Sequence, residues 1–284
     1  MRANRRKVAA LNSGDEIKRV QEFEESKRLL AAQREMYSTA KRLDFTNVLV
    51  CFAVPLCTTF VQLVFAIPSG VLIVVWLLTM VAGLVLSRLS AGLAKKASCV
   101  QQAFDSRVFG TFFENARLNC REVARYADRY FTRCKRKRMD PKLDDWYSAD
   151  LSDLTAGKAI PRCQRQNAEW TRRLLRRSVC MEILAALIFG ALLWSLIVCL
   201  SVDPLSLTFV FSIAEWAILR IASCLSSLRK VSNLSVSMSF DLSSEENIRR
   251  VQSAIHDYRG SSYIVPDFMY RIFKEPDDVA TSQD

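Results

Sequence analysis

The sequence predicts an all-α integral membrane protein in which four transmembrane helices form two hairpins, with a mainly helical cytosolic domain built from the middle segment and both termini. Three observations carry this expectation. Four apolar runs of bilayer-crossing length are paired around turns with almost no loop. Half of the 284 residues are hydrophobic while 24% are charged, so the two classes are segregated along the chain. Finally, Lys and Arg avoid both turns: 11 lie in residues 1–44, 20 in residues 90–179 and 7 after Leu225, with Arg88 and Arg220 near span ends. The positive-inside rule then puts the N-terminus, the middle and the C-terminus on the cytosolic side, an agreement that an even number of spans requires.

Residues 1–44 open with a basic stretch and continue as a charged, helix-favouring segment with Ile17, Val20, Phe23, Leu30 and Met36 at roughly helical spacing. No apolar core of signal-peptide type follows the basic start, so a cytosolic amphipathic helix is expected. Residues 45–66 form the first span; Pro55 inside it removes a helical N–H and predicts a kink. Pro68, Ser69 and Gly70 turn the chain, and residues 71–89 return, with Arg88 placed to reach the interface.

Residues 90–179 are the cytosolic segment between the hairpins. Gln101 to Phe109 reads as a helix continuing inward from the second span, and Glu114 to Arg138 as another, ending in the basic run RCKRKR. That run suits either a solvated helix end touching anionic lipid or a phosphate-binding groove. Pro141 breaks the helix before Trp146 and Tyr147, a pair able to anchor at a membrane interface or to stack on a base. A helix is expected from Pro161 into the third span. Its Arg172, Arg173, Arg176 and Arg177 are explained by the membrane end, whereas Gln164, Arg165, Asn167 and Trp170 are not.

Residues 180–202 and 205–225 make the second hairpin around Asp203 and Pro204. The small pairs Ala186/Gly190 and Gly83/Ser87 permit close helix approach. Thr208, Ser212 and Glu215 share one helical face, so subunits packed about an axis would line a pore with hydroxyls and carboxylates; the alternative is an internally paired Glu215, bonded to Gln62 or Arg220. In residues 226–284 a capping box at Ser243 and Glu246 starts a helix with Ile248, Val251, Ile255 and Tyr258 on one face, and Gly260 ends it.

Charge and rare residues narrow the function classes. The net charge of +11 favours an anionic partner such as a lipid headgroup, a nucleic acid or a phosphorylated ligand. Nine cysteines without a CxxC pair, several inside apolar runs, speak against a disulfide framework or a zinc site, and one histidine, His256, leaves little material for a metal site or a hydrolytic triad. No metal and no enzymatic activity are expected.

QQAFDSRVF at 101–109, DDWYS at 144–148, PRCQRQNAEW at 161–170 and IHDYRGSSYIVPDFMYR at 255–271, interleaved with two hairpins, make a chain that resembles the SMODS-associating four-transmembrane effectors over nearly its whole length. The resemblance implies an effector of cyclic-oligonucleotide-based antiphage signalling (CBASS). A nucleotidyltransferase that senses infection makes a cyclic di- or trinucleotide. The effector, a homo-oligomer in the bacterial inner membrane, binds this messenger rather than DNA or RNA and disrupts the membrane, causing abortive infection. No cofactor is implied. On this reading Arg162, Arg165 and Arg259 hold phosphates, Trp170, Tyr147 or Tyr258 stacks on a base, and Gln164 or Asn167 reads a base edge. Alternatively these residues build the cytosolic fold, and a membrane-shaping double-hairpin scaffold without ligand gating is the competing function.

Overall fold

In the computed structural model, residues 11–65, 67–111, 113, 118–200, 207–237, 244–260 and 263–269 are described. Eight α-helices account for most of them: α1 (Gly14–Gln21), α2 (Glu24–Val48), α3 (Val54–Val64), α4 (Ser69–Val108), α5 (Cys120–Lys137), α6 (Ala156–Leu200), α7 (Leu207–Ser237) and α8 (Glu245–Arg259). No β-strand occurs among the described residues.

The N-terminal segment divides into two helices where one was expected. Ser13 caps α1, accepting from the Glu16 amide, and the helix stops at Glu22. Phe23 is extended and 44% exposed, while Ile17, Val20, Leu30 and Met36 are buried. The break lets α1 lie across the polar end of the fold: Asn12 Nδ2 donates to the Val108 carbonyl at 2.9 Å, and the Gly14 amide donates to the Leu154 carbonyl at 2.9 Å. A Cβ on Gly14 would stand 1.9 Å from the Leu151 carbonyl oxygen. Only glycine permits this backbone approach.

From α2 the chain enters the first apolar stretch without interruption. The distortion expected from Pro55 takes the form of a π-helical turn, Leu49–Ala53, directly before the proline. A proline ring crowds the carbonyl four residues earlier and offers it no N–H; widening the preceding turn relieves both problems. The wide turn sits against α4 at Gly83, where an added Cβ would meet Cys51 Sγ at 2.7 Å. Of the small pairs singled out above, Gly83 therefore serves packing within the chain, whereas Gly190 faces open space.

Antiparallel packing of α2 on α4 is pinned where Ser90 Oγ donates to the Ala40 carbonyl at 2.9 Å. The α4 helix continues the apolar run of 71–89 inward to Val108, as expected; Asn119 caps α5, and Ser244, one residue later than expected, caps α8 by accepting from the Asn247 amide. Ser243 itself lies outside the described residues. The α6 helix begins at Ala156, five residues before Pro161, and runs unbroken through residue 180. Pro161 is the sixth residue of the helix, past the four orphan amides, so it withholds the N–H that would otherwise bond the Gly157 carbonyl.

Two apolar cores fill the polar body. One gathers Phe104, Phe109, Tyr147, Leu30, Met36, Tyr126, Tyr130 and Ile160 from α2, α4, α5, α6 and the loop after α5. The other gathers Leu174, Leu175, Val231, Val251, Ile255, Tyr258 and Tyr263 from α6, α7, α8 and the segment after it. Beyond the polar body the helices expose large apolar side chains, among them Phe60 (67%), Leu78 (65%), Leu187 (66%), Trp194 (68%) and Ile218 (65%). Surfaces of this kind are stable against lipid rather than water. Among the described residues two helical stretches are long and apolar enough to cross a bilayer, Glu24–Gln62 and Gly70–Val108. The expected turn at 203–204 lies outside the described residues, so four spans were expected and two are seen.

Candidate functional site

A buried polar hub joins all four motifs singled out in the sequence. Asp105, in the last turn of α4, is fully buried. Its carboxylate accepts from the Tyr147 hydroxyl at 2.6 Å, from Gln252 Nε2 at 2.7 Å and from Arg259 Nη1 at 2.6 Å. Gln252 Nε2 also donates to Gln102 Oε1 at 3.0 Å, while its oxygen accepts from Gln164 Nε2 at 3.0 Å. Gln164 donates a second bond to the Ile248 carbonyl at 3.1 Å, and the Tyr258 hydroxyl donates to Asn167 Oδ1 at 3.0 Å.

Helical spacing brings these groups together. In α8, Gln252 and Arg259 stand four and eleven positions after Ile248, close to the stripe that buries Ile255. In α4, Gln102 and Asp105 lie four and seven after Ser98, between the buried Ser98 and Phe109. The polar residues are thus on core-facing stripes, and each must find a partner there. Tyr147 arrives from the loop between α5 and α6 and packs against the rings of Phe104 and Phe109, with centroids 6.3 and 5.4 Å away. Trp146 stands beside it, under the Arg34 guanidinium at 5.4 Å.

The hub is electrostatically tense. Burial pushes the Tyr147 phenol well above its ordinary range, and the nearby Asp105 charge adds to the effect. Burial alone would lower the Arg259 guanidinium, but Asp105 together with Tyr258 and Tyr147 holds the group above its ordinary value. Two buried atoms, Arg259 Nη2 and Gln164 Oε1, have no hydrogen-bond partner among the described residues. A rearranged hub could satisfy them.

Of the eight residues expected to bind ligand, Tyr147, Gln164, Asn167, Tyr258 and Arg259 belong to this hub. Arg162 and Arg165 lie exposed on α6, and Trp170 is half-buried against the second core. Of the expected pore residues, Glu215 is exposed on α7 and makes no hydrogen bond or ion pair to a described residue; the side chains of Thr208 and Ser212 lie outside the described set.

Arg220, weighed above as a partner for Glu215, is engaged elsewhere. Its Nε donates to Glu182 Oε1 at 2.7 Å and its Nη1 to Asp44 Oδ2 at 3.1 Å. The guanidinium lies between the rings of Trp216 and Tyr263, at 5.6 and 5.4 Å from their centroids. The Tyr263 hydroxyl donates to Glu182 at 3.2 Å. Asp44 ends the polar part of α2, Glu182 begins the apolar part of α6, and Arg220 lies on α7. One cation therefore ties both apolar pairs together, with a residue of the segment after α8 closing over it. That segment also holds α2 through Lys41 and Asp267 at 2.7 Å, and it buries Ile264 against Ala40 and Ala94. Sequence reasoning passed over this collar. Its available signal was depth: Asp44, Glu182 and Arg220 are the charged residues at the polar ends of three separate apolar runs.

Long apolar helices that are exposed on their outer faces, rooted in a helical body with a buried charged hub, are the features of a helical membrane protein. The chain belongs to the SMODS-associating 4TM effector domain family, whose model matches residues 15–284. The family's association is with SMODS, the nucleotidyltransferases that make cyclic nucleotides in CBASS antiviral defence. No curated protein and no solved structure matches the chain.

Proposed function

We propose that this protein is a cyclic-nucleotide-gated membrane effector of bacterial antiphage defence, acting without catalysis. Four spans in two hairpins cross the inner membrane, with both termini in the cytosol. A cyclic di- or trinucleotide binds the cytosolic body, the homo-oligomer rearranges, and membrane disruption aborts the infection. The observation that carries this reading is the physical continuity from hub to collar. Asp105 is held by Arg259, the last residue of α8, and the segment after α8 reaches the Arg220 collar at Tyr263 within four residues. A ligand that displaces α8 therefore pulls on both hairpins.

Arg162 and Arg165 offer exposed guanidinium groups to the phosphates, and Trp170, half-buried beside them on α6, offers a ring for stacking. Tyr147, Gln164, Asn167, Tyr258 and Arg259 meet the ligand only when α8 lifts from α4; their donors and acceptors then exchange protein partners for phosphate and base. Activation requires the ligand to bind this lifted form more tightly than the resting one. Thr208, Ser212 and Glu215 line the opening between subunits, where a carboxylate exposed on an apolar helix escapes lipid.

The test is leakage of dye from vesicles carrying the protein, assayed against a broad panel of cyclic di- and trinucleotides. At least one should cause leakage at micromolar concentration; silence across the panel with correctly inserted protein overturns the reading. For the site, Arg162→Ala should weaken ligand binding about tenfold or more without changing the melting temperature. Unaltered affinity removes Arg162 from the site.

A further inference from the structure

The basic run RCKRKR at 133–138 is absorbed neither by the hub nor by the collar. Its first member, Arg133, is structural: Nη1 donates to Ser38 Oγ at 3.1 Å, and Nη2 pairs with Glu35 at 2.8 Å. The next four cations, Lys135, Arg136, Lys137 and Arg138, are all exposed, and none ion-pairs with a described residue. Arg138 takes a left-handed conformation, φ 51°, which ends α5 and turns out Met139, an apolar side chain that is 57% exposed among the cations.

The position of this end follows from contacts along α2. Asp128 pairs with Arg28, the Tyr130 hydroxyl accepts from Arg34 at 3.3 Å, and Arg133 reaches Ser38. So α5 climbs beside α2 in the same direction, toward the apolar stretch. Ser38 lies six residues before Asp44, about 9 Å along a helix axis, and α5 continues four residues past Arg133, about 6 Å in the same sense. Its cationic tip therefore stands within a side chain's reach of the level at which α2 becomes apolar.

We infer that the end of α5, Lys135 to Met139, is a docking surface for anionic phospholipid headgroups of the leaflet from which the polar body protrudes. Four cations that make no ion pair to a described residue supply the attraction to an anionic surface, and Met139 enters the interface between them. The body is thereby held against the membrane at a second point, separate from the collar. The inference rests on the proposed placement of the apolar helices in a bilayer.

The experiment compares full-length wild-type protein in vesicles of phosphatidylcholine alone with the same protein in vesicles that also contain phosphatidylglycerol. Lysines are modified with an amine-reactive ester and read by mass spectrometry. Lys135 and Lys137 should react at least about threefold more slowly in the anionic vesicles, with the difference lost at high salt. Lys158, near the opposite end of α6 and about 36 Å along the helix from Glu182, should react equally in both. Equal rates for Lys135 and Lys137 in the two membranes, or an equal slowing of Lys158, overturn the inference. Failure of the protein to float with either vesicle would instead overturn the membrane placement beneath it.

Discussion

Asp105 and Arg259 form an ion pair of 2.6 Å in which the side chains are 0% and 5% exposed. A pair at this depth exerts leverage because neither charge can go back to water unless α4 and α8 separate. Removing one partner strands the other. Asp105→Ala should therefore destabilise the body by about 3–5 kcal/mol, read as a lowered melting temperature in detergent. Replacing both residues, Asp105→Leu with Arg259→Met, should recover most of the loss while abolishing the response to ligand. A double variant as unstable as the single would show that Tyr147 and Gln252, not Arg259, dominate the hub.

Packing at Gly14 gives a prediction independent of function. The Cβ of an alanine would overlap the Leu151 carbonyl, a backbone group with no rotamer to escape into. Gly14→Ala should cost about 1–3 kcal/mol, while Gly92→Ala, where an added Cβ meets nothing within 4 Å, should leave the melting temperature unchanged or slightly raised.

The collar predicts a gain of function. Asp44 of α2 and Glu182 of α6 share the Arg220 guanidinium. Arg220→Met keeps the bulk but leaves two carboxylates facing each other. The hairpins should part, and vesicles carrying the variant should leak dye without any cyclic nucleotide. A silent variant with an intact ligand response would assign the collar to folding alone.

Glu215 separates subunit chemistry from chain folding. Because the carboxylate is exposed and bonds to no described residue, Glu215→Gln should melt like wild type but alter the cation selectivity or conductance of the activated protein in planar bilayers. Identical currents would exclude it from the conducting path.

His256 predicts a pH dependence. Burial lowers its pKa below the ordinary 6.5, and Nδ1 is buried without a described partner. The neutral ring is the form that the fold accepts, so the unfolded chain binds the proton more readily. Its contribution to stability is full above about pH 6.5 and is lost as the pH falls through the lower folded value. Thermal melts in detergent between neutral and mildly acidic pH should show the fall, and His256→Gln should flatten it.

The legible parts of the molecule were the local ones. A helix cap depends on residues within one turn, so Gly260 marked the end of α8 correctly and Ser243 missed its start by one position. The uncertainty at Trp146 and Tyr147 was of another kind, since an aromatic pair suits a membrane interface, a base or a core equally well. Phe104 and Phe109, some forty residues away in sequence, supply the surface against which Tyr147 packs, a contact that the pair's own residue types do not specify.

By itself the sequence determined which stretches are apolar and long enough for a bilayer, which side carries the cations, and that α4 and α6 run from the apolar stretches into the polar body. These are sums over neighbouring residues, and hydropathy and charge add along the chain. The tertiary structure alone decided that Asp105 meets Arg259 and that Arg220 binds Asp44 and Glu182 rather than Glu215. A buried polar group takes whichever partner the packing of helices brings to the same depth, and helical periodicity fixes the face a residue occupies without saying which other face it will meet.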